Sequence, residues 1–358
     1  MRPRNSLRPV AIDLFAGAGG LSLGLAQAGF EVRAAVDNDP VAAATYRANI
    51  GDHISCEAIE SLTAEVLLER AGIARGECTL LTGGPPCQGF SLQRRGPRED
   101  VRNRLVLQFI RMAEEIRPKF FLMENVGALL SKNGTSFLNE FAERSVEMGY
   151  VLHIELLNAS DFGVPQHRRR ALLVGERIEG GHARFRFPKP HTNGCPKTVR
   201  DALLGLPSPP LDGSPHPLVP NHYRERRLSA LNVERIRHVP QGGGRADLPV
   251  HLQLPCHRNN ATHRHLDVYG RLAWNAPSGT ITARFDSFTR GRFAHPEEHR
   301  SLTIREGARL QTFPDSFVFE GNREEQARQV GNAVPPLLAR QLGEAFLDAL
   351  AQEAKAAA

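Results

Sequence analysis

Val10-Ala-Ile-Asp-Leu-Phe15, running into Ala16-Gly-Ala-Gly-Gly20, is the stretch that decides the fold. Its first half reads as a buried strand and its glycines as a tight turn. Leu21, Leu25 and Ala28 then form the apolar face of a helix. Strand, glycine turn and helix open a nucleotide-binding βαβ unit in an open α/β sheet. The spacing departs from the dinucleotide fingerprint, because Ser22 stands where the third glycine belongs. Glu31 to Val36 reads as the next strand and ends at Asp37, where a carboxylate can accept from both hydroxyls of a ribose. The expected ligand is an adenosine derivative with no obligatory pyrophosphate site. Asp37 is also placed to cap the helix beginning near Pro40.

Working outward, Cys78 to Leu81 reads as another buried strand, entering Gly83-Gly84-Pro85-Pro86-Cys87-Gln88-Gly89-Phe90-Ser91. Two glycines and two prolines make a sharp, stiff turn, and open sheets place their chemistry at such strand ends. Cys87 is therefore a candidate nucleophile that is held and aimed. The polar, Arg-rich stretch from Leu92 to Asn103 reads as a surface loop able to close over an anionic substrate. A helix is expected over roughly 104–117. The apolar strand Lys119 to Val126 then ends in Glu124-Asn125, where a carboxylate is costly unless paired or used. Glu124 is the candidate proton donor. A helix near 135–148 and a strand over 151–157 follow. Gln166-His167-Arg168-Arg169-Arg170 then enters the apolar strand Ala171 to Val174. Strand alternation sets Arg168 and Arg170 on one face, where they could hold a phosphate or carbonyl and favour a thiolate.

A chain of 358 residues with 41% hydrophobic content can bury two sizeable cores. No apolar run is long enough to span a bilayer, and residues 1–10 lack the core of a signal peptide. Five cysteines without paired spacing suit free thiols in a reducing cytoplasm. The net charge of +6 points only weakly to a polyanionic partner, but its distribution is uneven. Residues 181–300 hold 18 Arg and Lys against 9 Asp and Glu, so one segment is expected to carry the positive field. From about residue 181 periodicity also fades into Pro, Gly, His and Arg, as in a second, loop-rich domain. Cys195 with His191, and Cys256-His257 with His251, His263 and His265, lack zinc-site spacing, so no metal is expected. Residues 303–314 read as a helix stopped by Pro314. Gln329 to Pro336 reads as a turn into a last helix over 337–352, with a frayed tail from Ala354.

From about residue 10 to residue 350 the chain resembles the C5 cytosine DNA methyltransferases of bacterial type. The resemblance is carried, in order, by DLFAGAGG at 13–20, PPCQGFS at 85–91, ENV at 124–126 and the QxRxR pattern at 166–170. REGARLQTFP at 305–314 and GNAVPP at 331–336 complete it. It implies a Rossmann-like catalytic domain over 1–180 plus 328–358 that binds S-adenosylmethionine, with no metal. A smaller target-recognition domain over 181–327 would read duplex DNA. Carried over residue by residue, the cofactor would be held by Phe15, Ala16, Gly17, Gly19, Gly20, Asp37, Asn38, Pro85 and Asn332. Cys87 would attack the cytosine, Glu124 would contact N3, and Arg168 and Arg170 would position base and backbone. The acidic residue that usually meets the adenine amino group aligns with Ala58, flanked by Glu57 and Glu60.

The resemblance further implies a cytoplasmic, nucleoid-associated monomer and, among its partners, a restriction endonuclease reading the same site. A tRNA cytosine-5 methyltransferase shares the resemblance, but the basic segment favours duplex DNA. A silent DNA-binding relative would have no need of Cys87, Glu124 and Arg168.

Overall fold

In the computed structural model, which describes residues 8–86, 103–178, 182–225, 228–255 and 267–357, the chain divides into two units. One comprises Met1–Asn158, Arg169–Pro190 and Pro336–Ala358; the other comprises Ala159–Arg168 and His191–Pro335. The strands are β1 (Val10–Leu14), β2 (Glu31–Asp37), β3 (Ile54–Cys56), β4 (Leu80–Gly83), β5 (Phe120–Val126), β6 (Tyr150–Asn158), β7 (Arg169–Arg177), β8 (Gly270–Arg271) and β9 (Arg292–Ala294). The α-helices are α1 (Gly20–Ala28), α2 (Pro40–Asn49), α3 (Ala64–Ala71), α4 (Asn103–Ile116), α5 (Thr135–Glu147), α6 (Val199–Leu203), α7 (Ala230–Arg237), α8 (Ile304–Leu310), α9 (Arg323–Asn332) and α10 (Pro336–Ala357). None of the described helices is long and apolar enough to cross a membrane.

In the first unit seven strands form one sheet in the order β3-β2-β1-β4-β5-β7-β6. Pairing is parallel except at β7, which runs against both of its neighbours. Near-continuous apolar strands buried on both faces explain the parallel part. On one face Ile12, Leu14, Leu81, Phe121 and Met123 pack with Leu67 of α3 and Phe109 and Met112 of α4. On the other, α10 lies against α1 so closely that a Cβ at Gly24 would sit 2.4 Å from the Ala339 Cβ. The order reverses between β1 and β4, so the crevice at their carboxyl ends is where an open α/β sheet takes its ligand.

Three local expectations are corrected. The cap of α2 is Asp39, whose Oδ1 accepts from the Val41 and Ala42 N–H groups at 3.0 and 3.4 Å, and not Asp37. Gln329 to Asn332 complete the helix α9, which starts on a capping box between Asn322 and Glu325. The last helix runs on through Ala354 to Ala357, with Lys119 Nζ 2.5 Å from Glu353 Oε1.

The second unit holds the parallel pair β8–β9 and a small core of Ile236, Val239, Leu248, Tyr269, Phe288 and Ala294. Its arginines correct the reading of its charge. Arg235, Arg245, Arg271 and Arg300 are buried. Arg271 donates to the carbonyls of Val239, Ile236, His295 and Glu298, and Arg300 is paired with Glu306 at 2.7 Å. These guanidiniums brace loops that lack regular backbone pairing. Part of the positive count therefore faces inward.

Candidate active site

Four strand ends build the site in the first unit. After β1, Phe15 takes a φ of 58°, a left-handed conformation rare for a bulky side chain, and Gly17 follows at 55°. The Ala16 N–H donates to the Val36 carbonyl, and Gly19, also left-handed, leads Gly20 into α1. After β2, Asp37 receives the Gly17 N–H on Oδ2 at 2.7 Å and the Asp39 N–H on Oδ1 at 2.8 Å. The carboxylate thus ties the glycine turn to the neighbouring strand. Burial, only partly opposed by these hydrogen bonds, pushes its pKa up. Asn38 beside it is exposed.

After β4, Pro85 is buried and its carbonyl accepts from Asn125 Nδ2 at 3.2 Å. Cys87 and the arginine-rich stretch after it lie outside the described residues, as do Cys256, His257, His263 and His265. At the end of β5, Glu124 is buried, with Oε1 2.7 Å from Arg170 Nε and Oε2 3.3 Å from where a Gly84 Cβ would stand. The reversal of β7 makes this pair. Arg170, near the start of β7, lies opposite Val126, so it reaches the edge where β5 ends. A buried guanidinium–carboxylate pair beside a proline turn can present both a hydrogen-bond donor and an acceptor to one edge of a planar base.

Arg168 does not share that face, which corrects the expectation from strand alternation. It precedes β7, is 1% exposed, and donates from one terminal nitrogen to the Ile281 and Gly331 carbonyls at 3.0 and 3.1 Å. Gln166 beside it donates to Gln311 Oε1 and receives the Ile281 N–H, both at 2.8 Å. These two residues of the QxRxR pattern thus brace the second unit. Replacing Arg168 with Ala should cost about 3 kcal/mol, because two buried carbonyls lose their donor. A urea unfolding midpoint equal to wild type would refute that role.

Asn332 closes α9 in the second unit with its side chain exposed. Ala58 is exposed after β3; Glu57 is paired with Arg70 at 2.5 Å, and Glu60 is exposed. Sequence reasoning passed over Asp13, a fully buried carboxyl within β1. The clue was the one used for Glu124, an acid inside an apolar strand.

A seven-stranded sheet of this order, opening on a glycine turn, is the fold of S-adenosylmethionine-dependent methyltransferases. Within that class the chain belongs to the C-5 cytosine-specific DNA methylase family, whose pattern matches residues 10–348, and its activity is DNA (cytosine-5-)-methyltransferase. It is 38% identical over 341 residues to the type II methyltransferase M1.HphI of Haemophilus parahaemolyticus, covering 94% of this chain and 86% of that one. It is 36% identical over 371 residues to M.XorII of Xanthomonas oryzae pv. oryzae, covering 96% and 85%. Among solved structures, a candidate DNA modification methyltransferase from an E. coli prophage superposes with a TM-score of 0.70 at 26% identity, covering 96% and 99%. The S. pombe Dnmt2 methyltransferase shares the fold, with a TM-score of 0.59 at 20% identity over 97% and 99%.

The family implies S-adenosylmethionine, and the residues present fit it. Among the described residues nothing lies within 4 Å of where a Gly17 Cβ would point, so they leave that side of the turn open to a ligand. Asp37 supplies a carboxylate there, and Asp13 Oδ1 is buried without a hydrogen-bond partner among the described residues. A cationic adenosine derivative matches that donor set.

Proposed function

We propose that the chain methylates C5 of a cytosine extruded from a specific duplex sequence, through a covalent bond between Cys87 and C6. The Glu124–Arg170 pair, 2.7 Å apart at the edge where the proline turn emerges, is the observation that carries this reading. Cytosine C5 is a poor nucleophile. Attack of the Cys87 thiolate on C6 breaks the aromaticity and makes C5 enamine-like. Electron density then moves towards N3 and O2, where Glu124 can hold a proton on N3 and Arg170 can offset charge at O2. Once C5 carries the methyl group, loss of its proton to a base and departure of Cys87 restore the ring. The target must leave the stack for any of this to occur.

S-adenosylmethionine would be held by Phe15, Ala16, Gly17, Gly19, Gly20, Asp37, Asn38, Pro85 and Asn332, and it supplies an electrophilic methyl group. We assign residues 1–180 and 328–358 to catalysis and 181–327 to target recognition. Arg168 we assign to bracing, as its two carbonyl contacts support. Relatives bearing type II names support a place in a bacterial restriction-modification system, acting on the nucleoid beside an endonuclease of the same specificity.

The test is a duplex carrying 5-fluorocytosine at the target, incubated with protein and S-adenosylmethionine. Fluorine cannot leave as a cation, so a denaturation-resistant adduct is expected at that base. With the recognition sequence first mapped by methylcytosine sequencing in a methylation-free host, absence of the adduct would reject the covalent route.

A further inference from the structure

The glycine turn rests on a chain of four side chains that the mechanism above does not use. Ser22 Oγ donates to Asp13 Oδ2 at 2.6 Å, and Tyr46 Oη donates to Ser22 Oγ at 3.0 Å. Tyr46 Oη also lies 2.9 Å from His53 Nε2. Asp13, Ser22 and Tyr46 are fully buried, while His53 is partly exposed. Tyr46 packs directly against the turn, since a Cβ at Gly19 would lie 2.8 Å from its Cδ2. A continuous hydrogen-bonded path thus leads from the surface to a carboxyl group two residues before Phe15.

Two observations leave this carboxyl group short of partners and of counter-charge among the described residues. Asp13 Oδ1 and Thr82 Oγ1, on register partners of adjacent strands, are both buried without a hydrogen-bond partner among the described residues. Neither Asp13 nor Asp37 forms an ion pair among the described residues. An acid so placed is costly unless a charge arrives to offset it.

The groups around the path are few. Asp37 faces it from β2 and Asp39 from the start of α2, while Asp52 adjoins His53. The helix α1 carries no charged residue, and β4 contributes only Thr82. Burial, with help from Asp37, pushes Asp13 up to about 7, so it can exchange its proton near neutrality. Burial also pushes the Tyr46 phenol up and the His53 imidazole down, so both are uncharged at pH 7.

We propose that these side chains form a proton wire through which Asp13 ionises when a positively charged ligand settles on the glycine turn, so that the site prefers the sulfonium cofactor to its demethylated product. The donor directions of the structure are those of the ionised state; with Asp13 protonated they reverse, Asp13 donating to Ser22 Oγ, Ser22 to Tyr46 Oη and Tyr46 to His53 Nε2. From there the Asp13 proton passes to Ser22 Oγ as the Ser22 proton passes to Tyr46 Oη and the Tyr46 proton to His53 Nε2. His53 then gives its Nδ1 proton to solvent. Ser22, Tyr46 and His53 end neutral, with every donor turned towards the carboxylate. The proposal rests on the cofactor assignment above. The two ligands share the same amino-acid end and differ in charge at sulfur, which isolates the effect.

Titration calorimetry of the full chain at pH 7, with S-adenosylmethionine and separately S-adenosylhomocysteine, in phosphate and in Tris, counts the protons released. S-adenosylmethionine should release about 0.3 protons more than S-adenosylhomocysteine. Its preference over S-adenosylhomocysteine should fall about threefold from pH 8 to pH 6, because protonating Asp13 removes the charge that distinguishes them. Asp13→Asn should abolish both effects. Tyr46→Phe should keep the excess but slow its appearance in stopped flow with a pH indicator, and release at wild-type speed would refute the path. Equal proton counts for two ligands that both bind wild-type protein would overturn the proposal without any variant. Binding of neither would instead overturn the cofactor assignment.

Discussion

Cys87→Ala is expected to lower methyl transfer at least ~10³-fold while leaving S-adenosylmethionine affinity within about threefold. Without the thiolate no bond forms at C6, and C5 stays part of an aromatic ring too weakly nucleophilic to take a methyl group. Apart from Pro85, the cofactor residues of the first unit lie on other turns, after β1 and β2, so their arrangement should survive the loss of one sulfur. Single-turnover transfer and equilibrium cofactor binding measure the two halves separately. A parallel loss of cofactor affinity would mean that the turn at 83–91 is structural. Unimpaired transfer would reject covalent catalysis at this residue.

Arg170→Ala should lower the single-turnover rate about 10²–10³-fold, with DNA affinity changed much less. The guanidinium is the counter-ion of Glu124, a residue 8% exposed, and it reaches the edge where the proline turn emerges. Removing it leaves Glu124 buried without that partner and removes a donor from the ring edge, so the loss should fall on the chemical step. Arg170→Lys should recover only part of the rate. An ammonium lacks the planar fork by which Arg170 meets Glu124 through Nε and the Arg169 carbonyl through a terminal nitrogen. Thermal unfolding of both variants separates a folding defect from a catalytic one. A rate equal to wild type in a folded Arg170→Ala protein would remove the pair from the mechanism.

The first half of the chain was legible because its signals are local. Glycines that must adopt positive φ, apolar runs of strand length and a Pro-Pro turn act within a few residues, and β1, α1, β2 and β4 lie close to where they were read. Local signals mislead where a more distant residue overrides them. Gln329-Val-Gly-Asn332 looks like a turn, yet the capping box at Asn322 and Glu325 seven residues earlier had already committed it to α9. The arginines after residue 181 read as a surface field, yet a loop-rich unit needs buried donors for carbonyls that no helix or strand satisfies.

By itself, the order of residues determined the open α/β class, the family, the glycine turn, and the carboxylates Asp37 and Glu124 at two strand ends, since each is a property of a short segment's chemistry. Only the tertiary structure decided which arginine meets that acid. Arg168 and Arg170 differ by two positions in a run of like residues, and the reversed direction of β7 brings one to Glu124 while the other braces carbonyls in the second unit. It alone also joined Asp13, Ser22, Tyr46 and His53, drawn from four separate segments, into one hydrogen-bonded path. Side chains far apart in sequence acquire a common chemistry only after packing has removed the water between them.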